Sequence, residues 1–356
     1  MIIRTLTALV ASTAFLSACA SHDADVQGEG AAVQARLETP SVGTAGQDAA
    51  DDPAIWASST PVRIGGVQTT GFVAGTDKKA GLYIYGLDGA VLQFLPEGLL
   101  NNVDLTGGIS VNGRPQVVLG ASDRTPGKTG VALYLFDPAS EDGVRPWGAI
   151  TSDVVEPYGF CFARRGSEVH AILVGHEGEV RQFVLTVDEA GRPAARAVRR
   201  FEIGTISEGC ASDEATDALY IAEENVGVWR YRLDPSAGAS RTLLQPMAPG
   251  VLVADAEGLT VVEDGAARYL IGSSQGDSAF PVWRIDGPQP VYSGRFVVEA
   301  GAVDRVTGTD GVDALGGPVG DAFPEGLVVV QDDVNDAGTQ NFKYIDWRDI
   351  RAALGL

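Results

Sequence analysis

Carboxylates occupy most of the places where this chain could do chemistry. Asp51, Asp52, Asp104, Glu208, Glu223, Glu224, Asp255, Glu257, Asp304, Asp310 and Asp332 stand at or beside the ends of short apolar runs. Brought together, they could not all stay ionised without counter-charge. Oxygen ligands with no Cys or His among them select Ca²⁺ or Mg²⁺ over zinc or copper. Calcium is expected here, because it tolerates about six to eight irregular, loop-borne ligands. Interleaved with the acids are Lys78, Lys79, Arg124, Lys128 and His176. Cations beside a calcium-loaded acidic cluster suit a multiply anionic ligand, and phosphate fits: Arg grips two oxygens while Lys acts as a point charge. A P-loop or dinucleotide fingerprint is absent, so a nucleotide is not indicated. Histidine is scarce (His22, His170 and His176) and no Ser or Cys has an activating neighbour. The expected reaction is therefore direct attack by a calcium-activated water, without a covalent intermediate.

These residues recur with a period. Asp52, Asp104, Tyr158, Glu208, Glu257 and Glu325 follow one another at intervals of 52, 54, 50, 49 and 68, each opening an apolar strand. Repeats of about 40 to 50 residues built from short strands mark a β-propeller, one repeat per blade. The expected fold is all-β, a six-bladed propeller of four-stranded antiparallel blades. Inner strands line one channel, so the repeated acids should converge on its mouth. Polar clusters at Thr76-Asp77-Lys78-Lys79, Ser122-Asp123-Arg124, His176-Glu177, Glu223-Glu224, Gln275-Gly276-Asp277 and Gln331-Asp332-Asp333 should ring the same end. Aromatic strands that turn at an Asp, such as Tyr134-Leu135-Phe136-Asp137, supply the outer hairpins. A short closing helix is expected near Asp346–Arg351.

The 356 residues suffice for one large domain from 46 to 356. Residues 1–18 read as a secretory signal, with Arg4, an apolar Leu6–Leu16 run and Ser17-Ala18 before Cys19. Leu16-Ser17-Ala18-Cys19 resembles the bacterial lipobox, which implies acylation of Cys19 and anchoring to the outer membrane; residues 19–45 then read as a tether. Cys161 and Cys210 follow equivalent sites at offsets of three and two, which puts them on opposite faces of their sheets and favours two buried thiols. A net charge of −21 disfavours nucleic acid, and a monomer is expected.

Several segments resemble the bacterial β-propeller phytases. They are Ala50-Asp51-Asp52-Pro53-Ala54-Ile55-Trp56, Lys78-Lys79-Ala80-Gly81-Leu82, Leu100-Asn101-Asn102-Val103-Asp104-Leu105 and Tyr158-Gly159-Phe160. Further along come Ile221-Ala222-Glu223-Glu224, Asp255-Ala256-Glu257-Gly258-Leu259-Thr260, Ser273-Ser274-Gln275-Gly276-Asp277, Asp310-Gly311-Val312-Asp313 and Gln340-Asn341-Phe342-Lys343. The resemblance implies calcium-dependent hydrolysis of phytate, or of its calcium complex. It places Lys78, Arg124 and Tyr158 on phosphate oxygens; His176, a further phosphate contact, stands where some members carry a lysine, and Lys79 reads as a substrate-binding charge at the rim. Glu208, Glu224, Asp255, Glu257 and Asp310, with Gln275 and Asp51 nearby, would hold catalytic calcium. Asp52 with Pro53 and Val103, and Asp304 with Asp332, would form structural sites. Two rivals stand beside it: a non-enzymatic propeller that binds a partner or glycan, and a calcium-dependent lactonase or esterase.

Overall fold

Six antiparallel sheets stand round a central channel in this computed structural model, which describes residues 26–335 and 339–356. The inner strands are Ala50–Ile64, Leu100–Val111, Pro157–Arg165, Ser207–Asp213, Ala256–Asp264 and Val312–Gly316, which open blades 1 to 6. Each touches the next, and the sixth returns to the first. The expected six-bladed propeller is what the chain builds.

Each blade is covered on both faces by its neighbours, so its middle strands are apolar throughout rather than alternating. Leu327-Val328-Val329-Val330 in blade 6 is the plainest case, with every residue buried. The core therefore consists of clusters between blades. Between blades 1 and 2, Trp56 meets the edge of Phe136 at 5.0 Å and stacks on Phe72 at 5.4 Å. Between blades 3 and 4, Phe201 and Tyr231 pack with Ile172, Ile221 and the two cysteines.

Three sequence expectations need correction. Blade 6 does not begin at Glu325: its inner strand is Val312–Gly316, and Gly326–Asp332 is its second strand. Asp310 thus takes the sixth position, and the long last interval disappears. Of the tether expected over 19–45, the described residues from 26 onward include two sheet strands; Cys19 and the expected signal lie outside the described residues. Ala31–Gln34 adds a parallel fifth strand to blade 5, and Leu37–Glu38 is the outer strand of blade 6. Composition alone suggests a tether, but an open sheet edge needs only backbone groups to pair with, whatever the side chains. Lastly, Cys161 and Cys210 form a disulfide with Cα atoms 5.7 Å apart. The two do sit on opposite faces of their sheets. In a propeller the facing surfaces of consecutive blades are opposite faces, so that arrangement brings the sulfurs together.

The helix expected at the C-terminus is present as Trp347–Leu354. The Asp346 side chain caps it by accepting from the Arg348 N–H. Among the described residues, no helix is long and apolar enough to cross a membrane.

Candidate active site

A break in the strand register presents the acids to the channel mouth. Near the start of five inner strands the pairing skips between Ala50 and Pro53, Leu100 and Val103, Pro157 and Phe160, Ser207 and Cys210, and Ala256 and Leu259. Such bulges re-aim side chains that a regular pleat would bury against the next blade. The residues they carry are Asp51-Asp52, Asn101-Asn102, Tyr158-Gly159, Glu208-Gly209 and Glu257-Gly258. Asp310-Gly311 holds the same place before the sixth strand. The glycines are steric necessities: a Cβ on Gly159 would lie 1.9 Å from the Glu208 carbonyl oxygen, and one on Gly209 2.1 Å from that of Glu257. Inner strands approach so closely here that consecutive site residues sit backbone to backbone.

Glu208, Glu224 and Glu257 converge. One carboxylate oxygen from each lies within 4.8 Å of the others, and all three residues are buried. Glu224 comes from the loop after strand Ala218–Glu223 of blade 4. Burial, then Asp255 and Asp310, raise it to about 8. Burial with Asp51 lifts Glu208 well above its ordinary range, while burial with Glu208 and Glu224 does so for Glu257. Asp310 rises to about 7, mainly through burial. Asn101 donates to Glu208 Oε1 at 2.8 Å, and Gln275 Nε2 donates to Asp310 Oδ1 at 2.5 Å. Asp255 lies in the same group, its carbonyl accepting from the Gln275 N–H. Tyr158 stands beside these glutamates, and its phenol is pushed up by burial and by Glu208, Glu257 and Glu224.

Lys78 closes the cluster on the blade 1 side. Its Nζ lies 2.7 Å from Asp48, 3.2 Å from Asp51 and 3.1 Å from Asp310. Burial alone would lower its pKa, but Asp310, Asp51 and Asp48 outweigh that and hold the ammonium well above its ordinary value. Arg124 pairs loosely with Glu156 at 3.5 Å. His176 meets the Tyr158 ring edge-on at 5.1 Å, its Nδ1 turned to Glu177. Lys79 is exposed at the rim.

A hard cation fits these residues. Every candidate donor is oxygen, Glu257 Oε2 is buried without a partner, and neither Asp51 oxygen accepts a hydrogen bond despite the nearby Lys78. Buried carboxylate oxygens left bare in this way are costly unless a cation joins them.

Other acids are used for structure. Asp52 Oδ2 accepts from the Val103 N–H at 3.1 Å, and Asp52, Pro53 and Val103 line one cavity of the channel. Asp104 lies three residues beyond the blade 2 site position, which is Asn101, and accepts from Phe162 N–H. Glu223 is held by Thr205 and Trp229 Nε1. Asp304 and Asp332 do meet, but on the fully buried Lys343 ammonium, together with Glu38. Sequence reasoning missed Asp48, Asn101, Glu38 and Lys343; aligning Asn101-Asn102 with Asp51-Asp52 would have found the second.

A sequence model described as Phytase matches residues 1–356. The chain belongs to the Phytase family. It is 32% identical, over 91% of its length and 85% of the relative's, to the 3-phytase of Bacillus subtilis strain 168. A protein of unknown function from Bacteroides thetaiotaomicron has a similar fold, with a TM-score of 0.53 and 11% identity over 89% of this phytase and 75% of that chain.

Proposed function

We propose that this phytase is a calcium-dependent phosphomonoester hydrolase that removes phosphate from phytate by direct attack of water. The observation that carries the reading is the meeting of Glu208, Glu224 and Glu257, with bare buried oxygens, beside Lys78 and Tyr158. The three glutamates, with Asp255, Asp310 and Asp51, would hold the metal. Bound there, calcium would neutralise the carboxylates and acidify water at the site.

The chain's own groups do the rest. Lys78 and Arg124 stand at equivalent strand ends of blades 1 and 2, placed to balance charge on phosphate oxygens as the ester bond lengthens. Tyr158 is kept protonated by burial and by the surrounding acids, so its phenol acts as a hydrogen-bond donor. Lys79 and His176 at the rim would take further phosphates of a polyanionic substrate. The Cys161–Cys210 disulfide leaves neither sulfur free to act as a nucleophile.

The test is phosphate release from phytate and from p-nitrophenyl phosphate, each with calcium and with excess EGTA. Release from phytate that needs calcium is expected. Full activity in EGTA overturns the metal reading, and no release from phytate under either condition overturns the substrate. The lipobox resemblance adds an anchoring proposal: Cys19→Ala should move the protein out of the membrane fraction or leave it unprocessed. A wild-type protein found wholly soluble contradicts it.

A further inference from the structure

Lys78 stands between a buried carboxylate cluster and the channel mouth. Its ammonium contacts three carboxylates, two of which, Asp51 and Asp310, belong to the proposed metal cluster. Neither Asp51 oxygen accepts a hydrogen bond, so among the described residues Lys78 supplies the only short-range counter-charge to Asp51. The residue is 5% exposed, yet its third partner, Asp48, is 64% exposed at the side chain. The ammonium therefore sits one swing of its stem from the open mouth. The backbone has no comparable freedom, since the Lys78 N–H is fixed to the Ala49 carbonyl at 2.6 Å.

We propose that Lys78 is the resident counter-ion of the unloaded carboxylate cluster, and that a divalent cation entering the cluster displaces it into the mouth, where it takes phosphate. The inference rests on the phytase reading above and adds a moving part to it. A divalent cation and an ammonium held a few ångström apart on the same oxygens repel, and the cation of higher charge keeps the carboxylates. Lysine suits the exchange, being a compact charge on a flexible stem with three rotatable donors; arginine's rigid fork would stay locked across its pair of oxygens. The same side chain thus keeps a dense acidic pocket folded before metal arrives and binds anion afterwards. Lys79 cannot do this, because it is already exposed.

Amine labelling reads the displacement directly. The chain has four lysines, Lys78, Lys79, Lys128 and Lys343. Wild-type protein is treated briefly with acetic anhydride in EGTA, in calcium, and in calcium with inorganic phosphate, and each lysine is quantified by peptide mass spectrometry. Lys78 should be labelled at least about tenfold more slowly than Lys79 in EGTA. Calcium should raise Lys78 labelling several-fold while Lys79 and Lys128 stay constant, and phosphate should suppress it again. Titration calorimetry gives a second reading: Lys78→Met should bind calcium about tenfold more tightly at one site, whereas Lys79→Met should match wild type. Lys78 labelling indifferent to calcium, or Lys78→Met affinity no tighter than that of Lys79→Met, overturns the proposal. Neither measurement uses phytate turnover. A protein that releases Lys78 but leaves phytate intact would sink the substrate reading alone.

Discussion

Two tiers of side chains line this channel, one at the mouth and one three residues further along the inner strands, and the two acids of the second tier, Asp104 and Asp313, are used in the opposite way from those at the mouth. In the second tier Asp104 accepts from the Phe162 N–H at 2.7 Å and from the Leu105 N–H at 2.6 Å. Asp313 accepts from the Ile55 N–H at 2.7 Å, and from Thr260 and the Ala314 N–H at 2.8 Å each. Each of these carboxylates latches one blade to the next. At the mouth, Glu257 Oε2 and both Asp51 oxygens accept no hydrogen bond. Burial raises the pKa in both tiers, to about 7 for Asp104 and about 8 for Glu224. A displaced pKa therefore does not separate function from structure here. The count of donors does: an acid with its lone pairs filled by backbone amides has nothing left to offer a metal.

Exchanging charge for an isostere in the mouth should give the largest effect. Glu257→Gln or Glu224→Gln is expected to lower kcat on phytate by about a hundredfold or more, with KM changed only a few-fold. The same variants should melt higher than wild type in EGTA at neutral pH, because an amide needs no proton taken up on folding, as a buried acid with a raised pKa does. Near wild-type kcat in both would show the mouth tier to be as structural as the second one.

A pH series divides the tiers next. Glu224 and Asp310 rise to about 8 and about 7, above their unfolded values, so the folded chain keeps protons that the unfolded chain has released. The stability those protons confer is full below about pH 4 and is lost as pH rises through about 7 to 8. Metal-free protein should therefore melt progressively lower over that interval. Calcium should remove the mouth's share of the slope, leaving what Asp104 and Asp313 contribute. Calorimetric scans that run parallel with and without calcium would place the cation elsewhere.

Asp104→Ala tests the second tier and should cost about 1–3 kcal/mol by denaturant titration, through the orphaned Phe162 amide, with kcat unchanged. A lower kcat at full stability would move Asp104 into the site. The smallest effect belongs to the rim. Lys79→Ala should raise KM a few-fold, less so at high salt, without touching kcat. An equal effect at every ionic strength would mean that Lys79 makes a close, desolvated contact.

The architecture was legible because blades 3 to 6 repeat one motif, an acid or phenol followed by glycine ahead of an apolar strand. Glu208-Gly209 and Glu257-Gly258 identify their own register, since the glycine is demanded by the neighbouring backbone. Asn101 escaped notice because an amide stands where the other blades carry an acid or phenol, and Asp104, three residues on, looks like the better member. Asp304 and Asp332 were correctly associated, but sequence has no way to show that Lys343, from another strand of blade 6, would reach both. The Cys161–Cys210 bond needed a fact about packing between sheets that periodicity within a sheet does not contain. The edge-filling role of residues 31–38 was hidden for a related reason: what recruits them is an unpaired backbone, which leaves no trace in their side chains.

That last arrangement has a consequence in time rather than in space. The outer strand of blade 6 comes from Leu37–Glu38, while its neighbour Asn341–Asp346 comes from the far end of the chain. Asn341 donates to Glu38 across 303 residues of sequence, and Lys343 reaches the same carboxylate. A chain delivered from its N-terminus must hold residues 31–38 waiting until nearly the last strand has arrived. Contacts this distant are the slowest to form, because the whole loop between them must be ordered first. Ring closure is therefore expected late in folding. Until then Asp310 and Asp51, on the first and last blades, have not met, and the pocket that would bind the cation does not exist.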